Sequence, residues 1–203
     1  MIYSSDIAFS DSVKAIQKRK GSRDVYALME KNGSWETEIT PDIEAYIATQ
    51  RSFFLATANA NGQPYIQHRG GPPGFLKVLN KNTLAFADYK GNKQFISQGN
   101  LIENNKAFIF LIDYTNQSRV KLWGTAEIIE NDPDFLEELM PDHDEYKAIP
   151  EQVLKFTLEA FDRNCPQHIP QRFEADDVVH VLREKDARIK ELEEKIRQLE
   201  VRT

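Results

Sequence analysis

This chain has a single cysteine, Cys165, among its 203 residues. One thiol excludes an internal disulfide and leaves no second thiolate for a cysteine-ligated metal cluster. Long apolar runs are missing as well: none approaches the roughly 20 residues that a membrane-spanning helix needs. The opening residues MIYSSDIAFSDS lack the basic start and apolar stretch of a signal peptide. These absences predict a soluble, cytoplasmic protein with no membrane partner. Basic excess is absent too. Lys and Arg number 26 against 32 Asp and Glu, a net charge of −6. With no basic stripe and no RNA-binding or zinc-finger signature, nucleic acid is not an expected partner. The pair His68 and His168 lacks a third ligand of clear spacing, so no metal site is expected.

What the chain does have is ordered punctuation. Phe9, Val13 and Ile16, then Val25, Tyr26, Leu28 and Met29 beyond Gly21, predict an amphipathic helical segment over residues 9–31. Its basic cluster, Lys18-Arg19-Lys20 and Arg23, reads as a solvated helix end. Thr40-Pro41-Asp42 predicts a helix start, with Ile43, Tyr46 and Ile47 as its buried stripe and an end near Gln50. A β-rich stretch follows: Phe53–Ala58, Tyr65–Arg69, Phe75–Leu79 and Thr83–Asp88, with Asn61-Gly62 signalling a tight hairpin turn between the first two. A short helix over about 93–100 leads to strands at Lys106–Tyr114 and Arg119–Ile129. Asp132-Pro133-Asp134 opens another helix, and Glu151–Phe161 is a closing strand. Six or seven short antiparallel strands with one or two helices fit a small barrel better than a sandwich, although the pattern alone does not separate the two. From about Glu174 the composition turns charged. Ile189, Leu192, Ile196 and Leu199 recur at three, four and three residues, the seam of a coiled coil, and Val178 and Leu182 extend it backwards with Lys185 as a break. Packing of this helix on the protein's own body is the alternative.

The stretch Pro64–Gln94 carries the chemistry. A strand ends in Tyr89-Lys90-Gly91, and Asn92-Lys93-Gln94 then stand where a helix is expected to begin. Backbone N–H groups, the positive end of a helix and an adjacent cation together make an anion site. A solvated surface lysine is the plainer reading of Lys93.

The segments PYIQHRGGPPGFLKVL, TLAFADYKGNKQFISQGNLIENNKAFIFLIDY and RVKLWGTAEII resemble the pyridoxamine 5′-phosphate oxidase-like superfamily of FMN-binding split barrels, over roughly residues 40–130. The closing strand and Asn164–Pro170 are expected to join the same domain. HRGGPPGF and NCPQHIP further resemble an oxidase-related bacterial subfamily. The resemblance implies a six-stranded antiparallel split β-barrel, which with the flanking helices and the C-terminal charged helix read above makes a mainly β, α+β fold. It also implies a homodimer holding two FMN molecules at the subunit interface. The corresponding domains are residues 1–39 as a helical extension, 40–173 as the FMN-binding barrel, and 174–203 as the terminal helix.

Carried over residue by residue, the family's phosphate site falls on Asn92, Lys93 and Gln94, with one cation where the family has two. The family's strand arginine falls on Gln67, while this chain has Arg69 two residues on and on the same strand face. Either Arg69 or Lys93 would carry the phosphate. Asp88 stands at a family threonine near the flavin, with Tyr89 beside it. Arg119 stands at a glutamine reaching the ring from the partner subunit, and Trp123 shares its face. Gln67, His68 and Arg119 are candidates for the flavin's pyrimidine edge. His68 reads equally as a structural histidine. In the loop Asn164–Pro170, Cys165, Gln167 and His168 are candidates to close over the flavin, against the reading of a Pro-rich surface turn. No catalytic residue is assigned.

Family members acting on pyridoxamine phosphate carry a C-terminal tryptophan and an Arg-Leu-x-Pro-like ending. This chain has NCPQHIP, Arg172-Phe173 and a charged helix there. The expectation is therefore an FMN-dependent oxidoreductase acting on an unidentified small molecule, not on vitamin B6. The alternatives are a non-catalytic flavin- or haem-binding sensor or carrier, and an interaction protein recruiting partners through its terminal helix.

Overall fold

The computed structural model describes residues 2–140, 146–164 and 167–200. Two compact units emerge, Met1–Ile112 with Arg119–Cys165, and Asp113–Ser118 with Pro166–Thr203. The fold is mainly β with flanking helices, an α+β split barrel followed by a long C-terminal helix.

The larger unit starts with a 3-10 turn, Ser4–Ile7, and two helices, α1 (Asp11–Lys20) and α2 (Arg23–Lys31). They are separate because Gly21 takes φ 80° at the C-cap of α1, the left-handed stop that a residue without Cβ adopts freely. Glu30 on α2 is almost fully buried and accepts two hydrogen bonds from the Arg23 guanidinium, whose Nη1 also reaches Gln17 Oε1 at 2.8 Å. Phe9 packs edge-on against both Tyr26 and Trp35. Trp35 in turn stacks on Trp123 at 4.6 Å between centroids, so the N-terminal segment covers part of the sheet's outer face.

The helix predicted at Pro41 is α3 (Pro41–Thr49), whose Ile43 and Ile47 are each 1% exposed. Seven strands follow where the resemblance implies six: β1 (Ser52–Ala58), β2 (Pro64–Gly70), β3 (Lys77–Asn80), β4 (Thr83–Tyr89), β5 (Lys106–Asp113), β6 (Ser118–Ile129) and β7 (Pro150–Asn164). The short β3 pairs antiparallel with β4 and forms one edge. The sheet order is β2-β1-β5-β6-β7-β4-β3. In β1 alternation places Phe53, Leu55 and Thr57 inside, while β4 is buried from Leu84 to Asp88. Leu84 and Phe86 join the main core; Ala85 and Ala87 meet Leu139 of α5 (Pro133–Leu139) and Val153 on the other side.

Three details differ from the sequence expectations. The β1–β2 connection is a five-residue loop, 59–63, rather than a two-residue Asn-Gly turn, because only Gly62 is left-handed (φ 81°). The Asn59 carboxamide oxygen closes that loop by accepting the backbone N–H groups of Asn61 and Gln63. Phe75 and Leu76 are core residues preceding β3, with Phe75 stacked on Phe53 at 5.7 Å. The short helix, α4 (Ile96–Glu103), begins three residues later than expected, because Lys93 (φ 59°) and Phe95 (φ 52°) are left-handed and interrupt helical geometry. Among the described residues, no helix is long and apolar enough to cross a membrane.

In the smaller unit, Tyr114 lies under the Arg172 guanidinium at 4.5 Å, and Gln117 Nε2 donates to the Ile169 carbonyl at 2.6 Å. Its 26-residue helix, α6 (Ala175–Glu200), has no buried residue.

Candidate functional site

The alternation of β2 turns Tyr65, Gln67 and Arg69 the same way. They form one wall of a solvent-open cleft, opposite Asp88 and Tyr89 at the end of β4. The irregular loop Gly91–Phe95 and the first residues of α4, Ile96, Ser97 and Gln98, close one side. Ile128 of β6 and Glu151 and Gln152 of β7 complete the floor. Pairing of Asp88 with Gln152 across β4 and β7 fixes the relation of these last two strands.

β2 and β4 are not neighbours in the sheet, yet one ion pair spans the space between them. Arg69 Nη1 donates to Asp88 Oδ1, and Gln152 Nε2 donates to Asp88 Oδ2 at 3.1 Å. The Arg69 guanidinium also lies over the Phe86 ring at 5.9 Å. Burial pushes the Asp88 carboxyl up from its ordinary value; the Arg69 charge, the Gln152 hydrogen bond oppose this, and nearby Glu151 adds to it. Desolvation therefore outweighs the salt bridge, as expected where a carboxylate leaves water for one charged neighbour. The Tyr89 hydroxyl is pushed up to about 12, by burial first and then by Tyr146, whose ring meets it edge-on at 5.2 Å. Tyr89 is thus a neutral donor throughout the physiological range.

Two features of the lining point to a ligand rich in acceptors. Arg69 Nε is buried and has no hydrogen-bond partner among the described residues, a costly state for a charged donor. Lys93 is exposed and makes no ion pair among the described residues, and the left-handed backbone at Lys93 and Phe95 bends the loop around the cleft. Asn92 Oδ1 accepts the Gln94 N–H at 3.2 Å, which holds that bend. Gln67 is already engaged: its Oε1 accepts from Ser97 Oγ at 2.9 Å, tying β2 to α4. The four charges around the cleft, Arg69 and Lys93 against Asp88 and Glu151, cancel in sign.

Of the residues singled out in the sequence, Gln67, Arg69, Asp88, Tyr89, Asn92, Lys93 and Gln94 line this one cleft. His68, Arg119 and Trp123 do not. His68 lies on the other face of β2, its ring edge-on to Phe54 at 5.7 Å. Trp123 is on the outer face of β6 against Trp35 and Phe108, and Arg119, four residues earlier on that face, has a buried Nε without a partner among the described residues. Gln167 and His168 are exposed in the smaller unit, with His168 at φ 65°. Cys165 lies outside the described residues. Tyr65, Ser97, Gln98, Glu151 and Gln152 were not anticipated. Tyr65 was legible from period two, since it shares a face with Gln67 and Arg69. Gln152 enters through strand register across the sheet, which no local signal carries.

Comparison with known proteins agrees with this architecture. The family model described as pyridoxamine 5′-phosphate oxidase matches residues 39–165, more than half of the chain. The chain is similar in fold to a Group A Streptococcus protein, HupZ, at TM-score 0.50 and 19% identity, covering 66% of this chain and 99% of that one. An FMN-binding protein from Syntrophomonas wolfei subsp. wolfei aligns at TM-score 0.48 and 14% identity, covering 76% and 97% of the two chains. HutZ, the haem storage protein from Vibrio cholerae, aligns at TM-score 0.44 and 15% identity, covering 60% and 92%. No curated protein matches the chain.

Proposed function

Because the chain belongs to the pyridoxamine 5′-phosphate oxidase family, we propose that it binds FMN in the β2–β4 cleft and acts as an FMN-dependent oxidoreductase on a small molecule, as a homodimer. The carrying observation is Arg69, a cleft-lining residue whose buried Nε has no hydrogen-bond partner among the described residues, beside a second lining cation, Lys93, with no ion-pair partner among them. A phosphate brings close to two negative charges and several acceptor oxygens, the chemical complement of a cleft lined by two cations. The amides of Asn92, Gln94, Gln98 and Gln152 supply donors and acceptors for a ring edge carrying carbonyls and ring nitrogens, and Tyr65, Phe95, Ile96 and Ile128 supply apolar surface. The residues present thus fit the group.

Bound FMN supplies hydride and single-electron chemistry. The protein's part is to bind, orient and neutralise. Lys93 neutralises phosphate charge at the solvent side. Arg69, held by Asp88, presents a fixed donor; the carboxylate prevents it from adding a full uncompensated charge. Tyr89 stays protonated and donates without titrating. The terminal tryptophan and Arg-Leu-x-Pro-like ending of vitamin B6 oxidases have no counterpart in NCPQHIP and the charged helix, so pyridoxamine phosphate is not the substrate of this reading.

A second reading, a carrier or sensor that holds flavin without turnover, draws on one observation. Gln67–Ser97 and Arg69–Asp88–Gln152 tie lining side chains to one another rather than presenting them to a second molecule. Two measurements separate these readings. Purified protein incubated with FMN and freed of unbound ligand should keep flavin absorption bands; colourless protein rejects both. Flavin that is bleached by a nicotinamide nucleotide and re-oxidised by an added acceptor over many cycles supports the oxidoreductase, and retained flavin that resists cycling supports the carrier.

A further inference from the structure

The geometry points to α6 pairing with α6 of a second copy of this chain as a parallel, in-register, two-stranded coiled coil. The helix is 26 residues long and has no buried residue, although helices in proteins derive most of their stability from packing an apolar face. That face exists and is exposed: Val178, Leu182, Ile189, Leu192 and Ile196 are 42 to 56% exposed. Their spacing assigns Leu182, Ile189 and Ile196 to the a positions of a heptad and Val178, Leu192 and Leu199 to d, with Lys185 at the remaining d. From Ile189 to Leu199 the seam has β-branched residues at a and leucine at d, the pattern that favours two parallel strands over three or four; Leu182 and Val178 upstream depart from it.

Charge chooses the partner and the direction. The g positions hold Val181, Arg188 and Lys195, and the e positions hold Val179, Asp186, Glu193 and Glu200, so the charged flanks belong to the last two heptads. In a parallel pair each g faces the e of the following heptad on the other helix. Arg188 then meets the partner's Glu193, Lys195 meets the partner's Glu200, and both contacts repeat by two-fold symmetry. An antiparallel pair would instead set g against g and e against e, cation on cation and carboxylate on carboxylate. A copy of this same chain is therefore complementary, and only in parallel. Within one helix Arg188 and Lys195 each bond Glu191 at 2.6 Å. Such exposed pairs contribute little, so they do not hold the cations away from the seam. Lys185 at d weakens the interface and penalises other registers, as one polar seam residue does.

Cross-linking tests this in the full chain carrying Cys165→Ser. Leu192→Cys places a thiol in the seam, and Glu194→Cys places one on the outside of the same turn. Under mild oxidation the first should form disulfide-linked dimers about tenfold faster or more, because a preformed pair raises the effective thiol concentration. Adding Arg188→Glu and Lys195→Glu to Leu192→Cys should abolish that advantage. Mixing this chain with a Leu192→Cys chain carrying Glu193→Lys and Glu200→Lys should restore it as a heterodimer. None of the substituted positions in α6 is buried, and the Cys165→Ser background is common to every variant compared. Equal, slow cross-linking at positions 192 and 194 overturns the proposal, whether α6 is then solitary or covered by another surface. So does fast cross-linking at 192 that is indifferent to the charge reversals.

Discussion

Asp88 determines how much charge Arg69 has left to give. The carboxylate neutralises the guanidinium across the cleft and is itself raised by burial. Asp88→Asn should thus leave Arg69 with an uncompensated charge and tighten FMN binding about tenfold, measured by equilibrium dialysis. The same variant has a defined pH signature. With its folded pKa above the unfolded value of roughly 3.9, Asp88 takes up a proton more readily in the native state, so its contribution to stability is present at low pH and falls as pH rises through the folded value. The stability of Asp88→Asn relative to wild type, read from urea midpoints, should therefore increase from about pH 4 upward. A flat difference would mean that the carboxyl is not raised. Lys93→Ala should weaken FMN retention about tenfold without changing the urea midpoint, since this exposed side chain bonds nothing in the described protein.

At the scale of elements, the sheet depends on one close approach. β6 and β7 shift register between Trp123 and Gly124, and a Cβ on Gly124 would lie 2.0 Å from the Thr157 carbonyl oxygen. Gly124→Ala should cost about 3 kcal/mol or more in a urea titration, because the clash is with backbone that cannot rotate aside. Much of the element order was legible. Thr40-Pro41-Asp42 and Asp132-Pro133 announced helix starts, and Phe53–Ala58 read as a strand. The start of α4 was not legible, because left-handed backbone at Lys93 and Phe95 has no glycine to advertise it. Nor was the Trp35–Trp123 stack, which joins residues far apart in the chain and depends on how the N-terminal segment folds back. Seven site candidates share the cleft because strand period and the Gly91 turn are local signals; Gln152 and Ser97 reach it through sheet register and helix placement, which are not.

For the whole molecule, a family fold carries a cleft in which Arg69 of β2 pairs with Asp88 of β4, and the loop Asn92-Lys93-Gln94 adds one further cation. The central claim is that this site recognises the phosphate of FMN. The most direct test is to titrate wild-type protein with FMN and with riboflavin, following the quenching of flavin fluorescence. Since the two ligands differ only by the phosphate, the account predicts FMN binding at least about tenfold tighter than riboflavin, a preference of some 1.4 kcal/mol that Lys93→Ala largely removes. Equal affinity for both ligands, or binding of neither, would contradict it.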